Sequence, residues 1–170
     1  ILEESLRIYK RYTPEKHIKI GGILVFLGNV YISLGDYTKP IKILEESFRI
    51  HETYFPKDHI AIGWVIGHLG VAYREAGNYQ RAKELFDYNL MICNKQFHPK
   101  HIWVKWALVQ LGILESYLGN HDKTIDVIKS SLPIYYETYG AEHLETARIL
   151  QNLGQAYLLK DDLTLAEKTL

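Results

Sequence analysis

Leu-Gly recurs at Leu27-Gly28, Leu69-Gly70, Leu111-Gly112 and Leu153-Gly154, each pair 42 residues after the last. A fixed period of this size is the mark of one supersecondary unit stacked on copies of itself, so it constrains the fold more than any composition does. The same step relates His17, His59, His101 and His143. It relates Gly35, Gly77 and Gly119, with Asp161 in the fourth copy, and Tyr37, Tyr79, His121 and Leu163. It also relates Ile8, Ile50, Ile92 and Ile134. Unrelated residue types keeping one period argue for true repetition.

Inside each period the apolar residues follow helical spacing, as in Ile62, Ile66, Leu69 and Tyr73. Gly77 then fits a left-handed helix C-terminus. Ala82, Leu85, Phe86, Asn89 and Leu90 mark a second amphipathic helix. Pro14, Pro56 and Pro99 are expected at the start of the helix that follows each. The pattern predicts helices over 1–12, 17–34, 37–54, 58–76, 79–96, 100–118, 121–138, 142–159 and 162–170. It gives one continuous domain over 1–170, with a half repeat at 1–12, repeats at 17–54, 58–96 and 100–138, and a partial repeat at 142–170. The chain opens on Ile1, in what reads as mid-helix, so we expect a piece of a longer protein.

The glycines of the Leu-Gly pairs sit mid-helix, where Gly costs about 1 kcal/mol against Ala. A close approach of the partner helix offsets that loss. Pro40, Ala82, Thr124 and Ala166 are expected to supply a small facing position, and Leu44, Phe86, Ile128 and Leu170 a bulky one.

Lys plus Arg equals Asp plus Glu, for a formal net charge of zero. The basic neighbourhood from Arg7 to Arg11, with Lys16 and Lys19, is interrupted, so the sequence offers no stripe for a nucleic acid. No apolar run approaches the length that spans a membrane. Cys93 is the single cysteine, beside Met91 and Ile92. It reads as a small buried hydrophobe, and its lack of a disulfide partner suits a reducing compartment such as the cytoplasm.

Leu69-Gly70, Tyr73, Gly77, Tyr79, Ala82 and Phe86 resemble the tetratricopeptide repeat pattern. The usual unit has about 34 residues. The longer unit here, with a His opening the first helix, is similar to the repeats of kinesin light chain and its relatives. The resemblance covers the entire chain and implies an all-α fold, a right-handed superhelical solenoid of antiparallel helix hairpins. It also implies a protein-protein interaction scaffold that holds a peptide or partner helix in a concave groove. Kinesin light chain carries Leu-Asn-Asn-Leu-Ala where this chain has Leu24-Val25-Phe26-Leu27-Gly28 and its copies. The family's asparagines hold the backbone of a cargo peptide. Only Asn152 matches them here, with Gln110 and Gln151 as partial analogues.

In such stacks the first helix of each hairpin lines the concave face. The period then places Gly22, Trp64, Trp106 and Arg148 in one ladder, and Phe26, His68, Gln110 and Asn152 in a second. Asn29, Val71, Ile113 and Gln155 form a third, with Arg74 near the next turn. The expected partner-binding residues are Asn29, Trp64, His68, Val71, Arg74, Trp106, Gln110, Ile113, Arg148, Asn152 and Gln155. Trp64 and Trp106 would make an aromatic shelf in the groove or else pack between hairpins.

His98 and His101 have a spacing that suits zinc, but no further ligands complete a set, and repetition already accounts for His101 at a helix start. Glu3-Glu4 and Glu45-Glu46 are adjacent carboxylates, which do not face each other on a helix. No phosphate loop or nucleophile motif occurs, and we expect neither a cofactor nor an enzyme. The expected partner is a protein or peptide. Two other readings fit the same repeats: a sensor or regulatory arm of a larger signalling protein, and a spacer whose apolar ends, Ile1, Leu2, Leu6 and Ile8 or Leu163, Leu165 and Leu170, associate end to end.

Overall fold

The structure, a computed structural model, describes residues 1–14 and 17–169. Lys16 of the basic neighbourhood and Leu170, expected as a bulky contact and as part of an apolar end, lie outside the described residues. Among the described residues the chain forms α1 (Leu2–Tyr12), α2 (Ile18–Ser33), α3 (Lys39–Glu52), α4 (Ile60–Glu75) and α5 (Tyr79–Gln96). These are followed by α6 (Ile102–Tyr117), α7 (His121–Tyr139), α8 (Leu144–Leu159) and α9 (Leu163–Thr169). They group into two compact units, Ile1–Gln96 and Phe97–Leu170. In the first, α1 packs on α2, and the hairpins α2–α3 and α4–α5 pack on each other. In the second, the hairpins α6–α7 and α8–α9 do the same. Both units are all-α stacks of antiparallel hairpins.

Each first helix begins in the same way. His17, His59, His101 and His143 are N-caps in extended backbone conformation. The imidazole Nδ1 of each accepts the backbone N–H two residues on, at 3.2, 3.1, 3.2 and 3.1 Å. This satisfies one of the donors that a helix start leaves open. Three of the rings also stack on an aromatic residue four positions earlier: Phe55 on His59 at 4.5 Å, Phe97 on His101 at 4.1 Å and Tyr139 on His143 at 4.8 Å. The cap corrects one expectation. Pro14, Pro56 and Pro99 do not open helices, because the capping His fixes the first helical residue after itself. The prolines belong to the preceding turn, where the carbonyls of Pro14 and Pro56 accept the N–H of His17 and His59, both at 2.9 Å.

The first helices end at Gly35, Gly77 and Gly119, whose φ values of 78°, 80° and 85° are left-handed. Asp161 takes the same conformation at 62° in the fourth copy. The next residue donates back across the turn, as in Asn78 N–H to the Tyr73 carbonyl at 2.9 Å. That closure turns the chain directly into the second helix.

Close approach at the mid-helix glycines interlocks each hairpin. A Cβ at Gly28 would lie 2.8 Å from Leu44 Cγ, and one at Gly70 would lie 2.6 Å from the Phe86 ring. Leu44 and Phe86 are fully buried by that contact. In the third copy the facing residue is Val127, 3.1 Å from the same hypothetical atom on Gly112, and not Ile128. There Thr124 replaces the small alanine and donates its hydroxyl to the Gly112 carbonyl at 2.6 Å. That bond sets the register of α7 on α6 and brings Val127 over the glycine. Pro40, Ala82, Thr124 and Ala166 are all buried, as small facing residues should be.

A second approach lies about two turns further back. Gly21 faces the His51 ring and Gly63 faces Asn89 and Ile92. The bared carbonyls accept Ser47 Oγ at 2.8 Å and Asn89 Nδ2 at 2.6 Å. Lys105 stands at this position in the third copy, and there Ser131 turns its hydroxyl to the Val127 carbonyl of its own helix, at 2.8 Å.

These contacts separate the glycines by role. Gly28→Ala is expected to destabilise the chain by about 1–3 kcal/mol, since the added methyl overpacks against Leu44. Gly22→Ala has nothing within 4 Å of the new atom and is expected to stabilise by about 0.5–1 kcal/mol, the usual helix-interior gain. Urea denaturation of both variants measures the two signs.

Candidate functional site

The first helices of the first unit carry little charge. In α2 the charged residue is Lys19, and in α4 the charged residues are Arg74 and Glu75. What they present instead in the first unit is a row of rings. Phe26 of α2 meets Trp64 of α4 edge to face at 5.8 Å. Trp64 in turn meets His68 at 5.7 Å and His51 of α3 at 6.2 Å. His51 continues to Phe55 at 6.1 Å, and Phe55 to the capping His59. The row runs from solvent to core: Phe26 is 56% exposed, Trp64 36% and His51 3%. Edge-to-face pairs of this kind hold each ring in one orientation.

His51 anchors the buried end. Its Nδ1 lies 2.8 Å from the Ser47 carbonyl, which can only accept, so this nitrogen carries the proton. Burial pushes the imidazole below its ordinary value, opposed in part by that hydrogen bond. The charged form is thus disfavoured in the folded chain. The unfolded chain binds more protons below about pH 6.5, and stability from this group, complete above that value, is lost as the pH falls from there towards the lowered value.

The other expected residues of the first unit lie along the same helices. Asn29 and Val71 are half-buried. Arg74 is 7% exposed; its guanidinium donates to Glu75 at 2.9 and 3.0 Å and lies 5.9 Å from the Phe86 ring centre. It ties α4 to its neighbour α5. In the second unit Trp106 is half-buried, while Gln110 and Ile113 are buried, Ile113 in the cluster formed by Val109, Ile125 and Ile128. Arg148 is exposed and pairs with Glu145 at 2.9 Å; Asn152 Nδ2 donates to the Arg148 carbonyl at 2.8 Å, and Gln155 is exposed.

Sequence reasoning missed two groups. His51 and Phe55 lie outside the ladders, although the period did carry a signal: Thr13, Phe55, Phe97 and Tyr139 are one series, and Tyr9, His51, Cys93 and Tyr135 another. Trp103 was also missed. It is 46% exposed and packs on Phe97 at 5.1 Å and His101 at 5.7 Å, while its repeat equivalents are Lys19, Ala61 and Glu145. Cys93 is buried, and burial pushes its thiol up to about 11, away from reactivity. Among the described residues no His, Cys, Asp or Glu cluster could hold a metal, and no helix is long and apolar enough to cross a membrane.

A tetratricopeptide repeat model matches residues 19–87 and 103–170. Among solved structures, the chain is similar to a kinesin light chain-type protein of Podosopora anserina with nearly identical TPR-like repeats, at 19% identity and a TM-score of 0.66, over 99% of this chain and 80% of that one. It is similar to BtubC (BKLC) from P. vanneervenii at 16% identity and a TM-score of 0.71, over 99% and 67%. MamA is a third, at 19% identity and a TM-score of 0.57, over 99% and 84%. These likenesses show the fold. Curated proteins give no match.

The buried imidazole of His51 predicts a pH dependence of stability. Between pH 7 and 5 the Tm of the wild-type chain is expected to fall more than that of His51→Phe, which keeps an aromatic ring at this position and cannot titrate. Thermal melts across that range measure the difference between the two slopes.

Proposed function

The chain belongs to the tetratricopeptide repeat family, and on that premise we propose that it is a protein-protein interaction scaffold holding a peptide or partner helix along its first helices. The supporting observation is the row Phe26, Trp64 and His68, which presents oriented aromatic surface where the helices carry little charge. Large rings held rigid by their neighbours make good anchors, because little side-chain entropy remains to be lost on binding. Asn29 beside the row supplies an amide for a ligand backbone. In the second unit, taken by itself, Trp106, Arg148, Asn152 and Gln155 are the corresponding candidates by register. Arg74, Gln110 and Ile113 act as packing that fixes the helices beneath the surface.

A groove of this composition recognises a segment through apolar side chains and backbone amides, and offers little to a strongly acidic or basic tail. Its neutral character also fits a solvated scaffold better than a nucleic-acid surface.

Affinity capture followed by titration of the captured partner tests the reading. Phe26→Ala/Trp64→Ala, with helical circular dichroism retained, is expected to lose about 2 kcal/mol or more of affinity. Equal binding by the wild-type and double-variant chains would move the binding surface elsewhere.

A further inference from the structure

On its buried side Trp64 leans on His51, and His51 has a seat of its own. The imidazole lies against the backbone of α2: a Cβ at Gly21 would come within 2.8 Å of its Cε1 and 2.9 Å of its Nδ1. Only glycine leaves that room. Ser47, about one turn earlier on α3, fastens the seat twice. Its hydroxyl donates to the Gly21 carbonyl at 2.8 Å, and its own carbonyl accepts the His51 Nδ1–H at 2.8 Å. The ring is thus fixed by α2 and α3 before it meets Trp64, at 6.2 Å and 66°. The fold does not require histidine here. The positions of Gly21, His51 and Trp64 hold Gly63, Cys93 and Trp106 in the next copy, and Lys105, Tyr135 and Arg148 in the one after. Cys93 and Tyr135 are as buried as His51.

What imidazole adds at this position is a charge that can come and go near neutral pH. Burial holds it neutral, opposed in part by the bond to Ser47. The residues packed on it from α2, α4 and the turn after α3 are Gly21, Trp64 and Phe55, and none carries a charge. Lys19, the charge of α2, lies over the Tyr9 ring, and on α3 itself Arg49 and Glu52 are exposed. The charges of α4, Arg74 and Glu75, stand in its last turn. His68 and His59 are one ring further on, across Trp64 and Phe55. A proton on His51 therefore sets an uncompensated charge in the core, and the ring escapes that cost by leaving its seat for water.

We propose that His51 is the positioning residue of the aromatic row: its neutral ring, seated on Gly21, holds Trp64 in the orientation offered to a ligand, and a proton on it releases Trp64. This rests on reading the row as the binding surface, and gives that surface a regulation. The row is set at neutral pH and loosens as the pH falls.

Trp64 itself is the reporter, so the test needs no partner. In the full chain carrying Trp103→Phe and Trp106→Phe, Trp64 is the sole tryptophan. Its emission is followed between pH 7 and 5, over the range in which helical circular dichroism stays constant. The maximum is expected to move to longer wavelength as the pH falls, because the indole loses its inward neighbour and meets water, with a midpoint below about 6.5. His51→Phe on the same background is expected to give a flat response. His68→Phe is expected to keep the shift, which assigns it to the ring on the buried side. Should His51→Phe lose its helical signal, NMR on the wild-type chain decides. The indole N–H of Trp64, identified by its loss in Trp64→Phe, is expected to titrate with the midpoint of the His51 ring protons. The proposal is overturned by flat Trp64 emission in the parent, by an equal shift in His51→Phe, by loss of the shift in His68→Phe, or by an indole signal that ignores the His51 midpoint. None of these outcomes bears on whether the row binds a peptide, which capture with Phe26→Ala/Trp64→Ala decides by itself.

Discussion

Two helices of a hairpin can approach as closely as α4 and α5 do only if one of them lacks a side chain at the crossing point. Gly70 provides that gap and Phe86 fills it, and Gly28 with Leu44 repeats the arrangement. Glycine in a helix interior is a local loss, so a sequence that keeps it at a fixed period must recover more from the contact. The bulky residue is then enclosed, and its burial sets both the distance and the rotation of the pair. The spacing of side chains along the first helix is thereby fixed, including the faces left for binding. The aromatic row depends on this directly: Phe26 and Trp64 meet at 5.8 Å because α2 and α4 are each seated on their own second helix and on each other.

Around that constraint the copies diverge in the contacts that surround it. Tyr73 donates its hydroxyl to Glu45 at 2.8 Å, and Tyr31 repeats the bond with Glu3 one copy earlier. In the fourth copy the pair is Tyr157 and Lys129, whose ammonium lies 5.4 Å from the ring centre. The third copy has Glu115 at the tyrosine position, bonded to Asn120 at 2.7 Å and to Lys123 at 3.3 Å. The interlock persists while these flanking pairs change chemistry, as expected if exposed ion pairs and hydrogen bonds contribute little compared with packing. Divergence of the same kind makes the first unit aromatic on its first helices and the second mixed, with Arg148, Asn152 and Gln155 on α8.

The order of the helices, the left-handed ends and the small-against-large packing of the first two hairpins were readable from the 42-residue period, because each is a local rule applied at a repeated position. The helix starts were displaced because a capping imidazole, more than the proline before it, decides where helical backbone begins. Val127 in place of Ile128 was not readable, since one threonine hydroxyl shifts which residue faces the glycine. The candidate site was legible in part. The ladders placed Phe26, Trp64 and His68 near one another, and Trp64 does lie between the other two. They did not separate exposed members from Arg74, Gln110 and Ile113, which share the register but are buried. Register fixes a position along a helix, whereas exposure depends on what the neighbouring helices place over it. His51 was hidden for a related reason: its role comes from Gly21, a glycine outside the Leu-Gly series.

A double-mutant cycle on Gly70 and Phe86 tests the interlock most directly, with stability read by chemical denaturation. Gly70→Ala alone introduces an overlap with the Phe86 ring, and Phe86→Leu alone leaves a void. In the double variant the smaller leucine makes room for the added methyl. The account predicts a double variant more stable than the sum of the single losses, with a coupling of about 1 kcal/mol or more. Losses that add within about 0.5 kcal/mol would show that the two residues do not sense each other, and would contradict the claim that close approach at the glycine sets the architecture.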